Sequence, residues 1–180
     1  MSKVFCLVLI PLLGAANLPA ATLAGVTLPD STKVGDQTLV LNGIGLRSKM
    51  GVKVYVAGLY LTQKSSDGAA IVKADAPKRI VLDAMRELDD EKLKETIADG
   101  FDASATTTLK TQIDQFMSGL ETLNAGEEMT ITYLPGTGTI LTVKGKDKVT
   151  IPGPPFGQAV FGVWLGAKSP SDVKKALLGQ

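Results

Sequence analysis

Apolar and polar residues alternate with two periods along this chain, and the change of period marks two β-rich blocks around a helical middle. In the first block, Gly25 to Leu28 and Thr38 to Leu41 read as short strands around the turn residues Pro29, Asp30, Gly35 and Asp36. Leu46 to Lys49 and Lys53 to Leu61 predict a longer β segment. Its second half is apolar on both faces, the pattern of a strand covered from both sides. Asp67 to Lys73 predicts a short helix that Pro77 interrupts, and Lys78 to Met85 alternates as a further strand.

In the middle, Asp89 or Asp90 can cap a helix running to about Ala98, with acids in its first turn and Gly100 just past its end. Leu109, Ile113, Phe116, Met117 and Leu120 recur at helical spacing, which predicts one helix over Thr107 to Leu120 with its inner face on a sheet. Glu128 to Leu134, Thr139 to Lys144 and Lys148 to Ile151 then form a three-strand meander, turning at Pro135 to Gly138 and at Gly145. Pro152, Pro154 and Pro155 end it. Two helices close the chain, Phe156 to Leu165 and Ser171 to Leu178. The apolar stripe of Phe156, Val160, Phe161, Trp164 and Leu165 reads as core. This order of elements predicts an α+β fold with helices on one face of a curved antiparallel sheet.

Ahead of all this, Met1-Ser2-Lys3 leads into an apolar run from Val4 to Leu13, followed by small residues. That order is a secretory signal peptide, with cleavage expected after Ala20, Ala21 or Ala24. The run is too short for a permanent membrane span. Residues 1–21 are therefore assigned to the signal and 22–180 to a single domain, exported to the periplasm or secreted. The leader carries one cation, Lys3, and no acid, so its removal leaves a formally neutral protein. Neutrality argues against nucleic acid and anionic membrane surfaces as partners.

Chemistry is narrowed further by what is missing. The chain has no histidine, and its one cysteine, Cys6, lies in the apolar run. Imidazole-based triads and the common zinc sites need those residues, so neither a metal nor another cofactor is expected. Gly43 and Gly45 lack the third glycine and the βαβ setting of a dinucleotide site. Glu87, Asp89, Asp90 and Glu91 read as a solvated first helical turn.

Leu41-Asn42-Gly43-Ile44-Gly45-Leu46-Arg47, followed by Lys53-Val54-Tyr55-Val56-Ala57-Gly58-Leu59-Tyr60-Leu61, resembles the opening of the chalcone isomerase-like family. The tail adds Tyr133 to Thr139, Ile151 to Gly153, Phe156, and Val163 to Gly166, which are similar to the family's bacterial branch. The resemblance implies an open-faced β-sandwich, a large antiparallel sheet with a layer of helices and a ligand cleft between them. In the family's plant enzymes an arginine, a threonine, a tyrosine and an asparagine close a chalcone to a flavanone. The arginine corresponds to Arg47. The other three fall at Tyr55 and near Leu93 and Gly100, which cannot repeat the original hydrogen bonds.

Another branch of the family binds fatty acids with the same arginine and a neighbouring tyrosine. A guanidinium meets a carboxylate through two parallel hydrogen bonds and keeps its charge when partly desolvated. The expected ligand-binding residues are thus Arg47 with Tyr55 or Tyr60. Being five apart in one strand, the two tyrosines should point to opposite faces, so that at most one joins Arg47. Val54, Val56, Ile97, Phe101, Ile113 and Phe116 are the candidate walls. The leading expectation is a non-catalytic binder of a small amphipathic carboxylate such as a fatty acid. The alternatives are a chalcone-flavanone-type isomerase using Arg47 and an envelope module that binds another protein.

Overall fold

The computed structural model describes residues 20–180; the apolar run expected to be a signal lies outside them. The first described element is a hairpin, β1 (Ala20–Leu23) and β2 (Val26–Pro29), paired from Ala20↔Pro29 to Leu23↔Val26. β1 includes Ala20 and Ala21, so cleavage after Ala24 would remove the whole strand.

Seven strands make the main sheet: β3 (Ser31–Val34), β4 (Gln37–Lys49), β5 (Val52–Leu61), β6 (Lys78–Ala84), β7 (Glu128–Leu134), β8 (Gly138–Val143) and β9 (Lys146–Ile151). Each pairs antiparallel with its neighbour in sequence, and the sheet curls into a half-barrel. Six helices complete the domain: α1 (Gly68–Lys73), α2 (Asp90–Gly100), α3 (Ala103–Thr108), α4 (Lys110–Ser118), α5 (Pro154–Leu165) and α6 (Ser171–Leu177). The α+β arrangement of a curved antiparallel sheet with a layer of helices is the one expected.

Local chemistry explains the helix limits. The carboxylates of Asp67, Asp89 and Asp102 accept backbone N–H bonds at the starts of α1, α2 and α3. The single helix expected over Thr107 to Leu120 is two, broken at Leu109. In α3 the hydroxyls of Thr106, Thr107 and Thr108 each donate to the carbonyl four residues earlier. Such back-bonding weakens a helix, and the β-branched run adds to the effect.

Strand alternation gives the sheet two apolar faces. Ala57, Leu59 and Leu61 of β5 join Ile80, Leu82, Met129, Ile131 and Leu141 beneath the helices, against Phe116, Phe156, Phe161 and Val173. On the opposite face a second, smaller core gathers Leu28, Val34, Leu39, Leu41, Tyr60 and Val81 under the β1–β2 hairpin. β5 is covered on both sides, as its composition predicts.

Candidate functional site

The site is built on β4, which carries a bulge between Leu41 and Gly43. The extra residue there, Asn42, is buried and turned to use: its Nδ2 donates to the carbonyls of Leu177 (2.7 Å) and Ser65 (3.0 Å), and its Oδ1 accepts from the Ser65 N–H (2.7 Å). This one amide ties β4 to the C-terminal end of α6 and to the loop after β5. Beyond the bulge, Gly43 and Gly45 form the bed on which α6 rests. A Cβ at Gly43 would lie 2.1 Å from the Ala176 carbonyl oxygen, and one at Gly45 would lie 3.1 Å from the Ala176 Cβ. The Gly-x-Gly of the motif is thus a requirement of close helix-on-strand approach.

Two residues further, Arg47 pairs directly across the ladder with Tyr55. Alternation from Gly43 and Gly45 places Arg47 on the helix-facing side, and alternation from Ala57 places Tyr55 there too. Both are half-buried. Burial pushes the Tyr55 phenol above its ordinary range, and interaction with the Trp164 side chain and the Arg47 charge draw it back, while Asp172 of α6 pushes it up again. Trp164 of α5 therefore adjoins Tyr55, with Asp172 in the first turn of α6 within electrostatic reach of it. Among the described residues Arg47 takes part in neither a hydrogen bond to another side chain nor a salt bridge, unlike Arg79, which donates to Thr132 and Thr32.

Tyr60 is not part of this arrangement. It faces the second core, and its hydroxyl donates to the Pro29 carbonyl at 2.8 Å. Burial in that setting pushes its phenol up to about 12. The structure thus brings Tyr55, and not Tyr60, to Arg47. Of the expected walls, Val54 and Val56 alternate with Tyr55 and point away from the helices, so they cannot line a cleft beneath them. Ile97, Phe101, Ile113 and Phe116 do lie on the helix-facing side, but as close-packed core, with Phe116 5.5 Å and Phe101 6.3 Å from Phe156 between ring centres. Two surface cavities, of about 180 and 410 Å³, lie elsewhere; Arg47 and Tyr55 line neither.

The positions matched to the remaining plant catalytic residues are closed to that chemistry. Leu93 is a buried core residue. A Cβ at Gly100 would stand 2.4 Å from the Val163 Cγ1, which leaves no room for an asparagine side chain. The acidic group of the helical region does what helix starts do: Asp89 caps α2, and Asp90 pairs with Lys94 at 2.6 Å.

Sequence reasoning missed three contributors. Asn42 is a bulge residue, and bulges leave no pattern in hydropathy. Trp164 reads as core from its spacing, which it is, but its contact with Tyr55 depends on helix placement. Lys78 is 2% exposed, against the usual behaviour of lysine, and its ammonium donates to the carbonyls of Ala74 (2.6 Å), Ile71 (3.0 Å) and Val72 (3.4 Å) at the end of α1. It also lies 5.0 and 5.6 Å from the ring centres of Tyr133 and Phe161.

The fold is shared with a solved protein of low sequence similarity, a fatty-acid binding protein of Arabidopsis thaliana. The two superpose with a TM-score of 0.67 at 16% identity, over 89% of this chain and 96% of the other. Among curated protein sequences none matches. The sequence profile described as chalcone isomerase-like spans residues 20–179, the whole bulge-to-tail stretch described above, and the chain belongs to that family.

Proposed function

We propose that this protein binds a small amphipathic carboxylate such as a fatty acid, with Arg47 and Tyr55 at the polar end. The observation that carries the reading is Arg47 itself: a half-buried guanidinium, opposite a tyrosine in the ladder, with no acceptor among the described side chains. A partly desolvated cation without a protein partner is suited to an oxyanion from outside. The fatty-acid binding of the Arabidopsis protein of the same fold supports this choice of ligand. Leu93 and Gly100 weigh against flavanone formation, so the binding reading is non-catalytic. The leader, with its apolar run Val4 to Leu13, supports export to the periplasm or beyond the cell.

Trp164 is the chain's single tryptophan and adjoins Tyr55, so a ligand bound there should change its surroundings. Titration with oleate should change its fluorescence saturably in the wild type, and native mass spectrometry should find a co-purified acyl ligand. Arg47→Ala should lose both. Unchanged affinity in Arg47→Ala would sink the assignment. An isomerase would instead consume a 2′-hydroxychalcone faster than the uncatalysed reaction does.

A further inference from the structure

The hairpin of β4 and β5 turns through Met50-Gly51, with φ of 52° and 76°, between the paired Lys49 and Val52. Two other hairpins turn in the same way, at Ala24-Gly25 and Lys144-Gly145. This two-residue turn favours Asn, Asp or Gly in its first place, because a left-handed backbone crowds any other Cβ. Ala24 and Lys144 put a methyl group and a cation there. Met50 puts a long apolar chain there, 95% exposed, and Val52 beside it is 47% exposed. These two are the exposed large hydrophobics of the described residues. Neither backbone preference nor burial accounts for Met50.

The tip itself carries charge of one sign. Residues 47–53 hold Arg47, Lys49 and Lys53 and no acid. Glu95 of α2 is within electrostatic reach of Lys49, but its carboxylate is paired with Lys92. The neutral net charge that argued against lipid surfaces thus conceals a local concentration of cations around an apolar point. We propose that this tip docks on an anionic bilayer surface, with Met50 and Val52 entering the boundary between headgroups and acyl chains and Lys49 and Lys53 meeting lipid phosphates. An apolar point ringed by long cationic side chains matches that layered environment. Two side chains offer far too little area for a stable protein interface, which needs roughly 800 Å² from each partner. The docking does not depend on what Arg47 holds. It does put the Arg47–Tyr55 pair two ladder steps from a reservoir of acyl chains.

The test uses the full chain carrying Met50→Trp, with Val52→Trp as a second reporter and the wild type, whose Trp164 is buried, as background. Vesicles of phosphatidylcholine are compared with vesicles that also contain phosphatidylglycerol. The expected result is a blue-shifted emission protected from acrylamide with the anionic vesicles, with partitioning about tenfold or more weaker when Lys49→Glu and Lys53→Glu are added. Because an uncleaved leader would itself partition into vesicles, sedimentation does not count; the reporter's environment does. Unshifted emission from both reporters on anionic vesicles would overturn the proposal. So would an equal shift on phosphatidylcholine alone, or a dimer in solution that Met50→Ser abolishes.

Discussion

Arg47 and Lys78 are cations on the helix-facing side of one sheet, two strands apart, and the protein treats them in opposite ways. Lys78 is enclosed: its ammonium meets three carbonyls that α1 leaves open at its end, with aromatic faces of Tyr133 and Phe161 nearby. Arg47 is half-buried beside Tyr55, with no acceptor among the described side chains. The first cation completes the fold. The second keeps its donors free of the described side chains, as the proposed carboxylate binding requires. Burial alone does not separate a structural charge from a functional one; whether its donors are satisfied does.

Removing the enclosed cation tests the difference most severely. Lys78→Met leaves three carbonyls without their donor and should lower unfolding stability by about 3 kcal/mol in urea titrations. Stability equal to the wild type would remove the distinction. Arg47→Ala should do the reverse, changing stability by about 0.5 kcal/mol or less while weakening acyl-ligand binding by roughly 10- to 100-fold, the worth of a hydrogen bond to a charged group. Between the two tyrosines the same contrast should appear at smaller scale. Tyr60→Phe should lose about 1 kcal/mol of stability with its Pro29 bond and keep ligand affinity, whereas Tyr55→Phe should weaken ligand binding several-fold at nearly unchanged stability.

The gentlest test is pH. Burial lowers the Lys78 ammonium to about 8 from its ordinary 10.5. The unfolded chain therefore binds this proton more tightly than the folded one. Stability should rise from pH 8 toward 10 in the wild type relative to Lys78→Met. Above pH 10 the stability of both proteins should fall, because Tyr60 and Tyr133 are raised to about 12 when folded and their contribution is lost as the unfolded chain ionises.

Much of this arrangement is legible in the residues. The capping aspartates, the meander, the two-sided β5 and the terminal helices follow from periodicity and local chemistry, and the Gly43 to Arg47 motif points to the family. The opposed orientation of Tyr55 and Tyr60 follows from alternation. The same rule, applied to Val54 and Val56, removes them from the walls. The break at Leu109 depends on three threonine side chains competing for helix carbonyls, a choice that apolar spacing does not record. The burial of Lys78 and the exposure of Met50 both run against residue-type expectation, since each depends on where α1 ends and how the β4–β5 hairpin turns. The bulge at Asn42 is a matter of register, visible once β4 is paired with β5.

Asn42 also sets an order of events. Every strand of the main sheet pairs with its sequence neighbour, so the sheet can assemble progressively from short-range encounters as the chain becomes available. The bond from Asn42 to the Leu177 carbonyl spans 135 residues and needs the last helix in place. The cover over Arg47 and Tyr55 is therefore among the last parts to form. A chain stopped before α6 would lack that bond and expose the glycine bed of β4, so binding at the proposed site should require α6 to be in place.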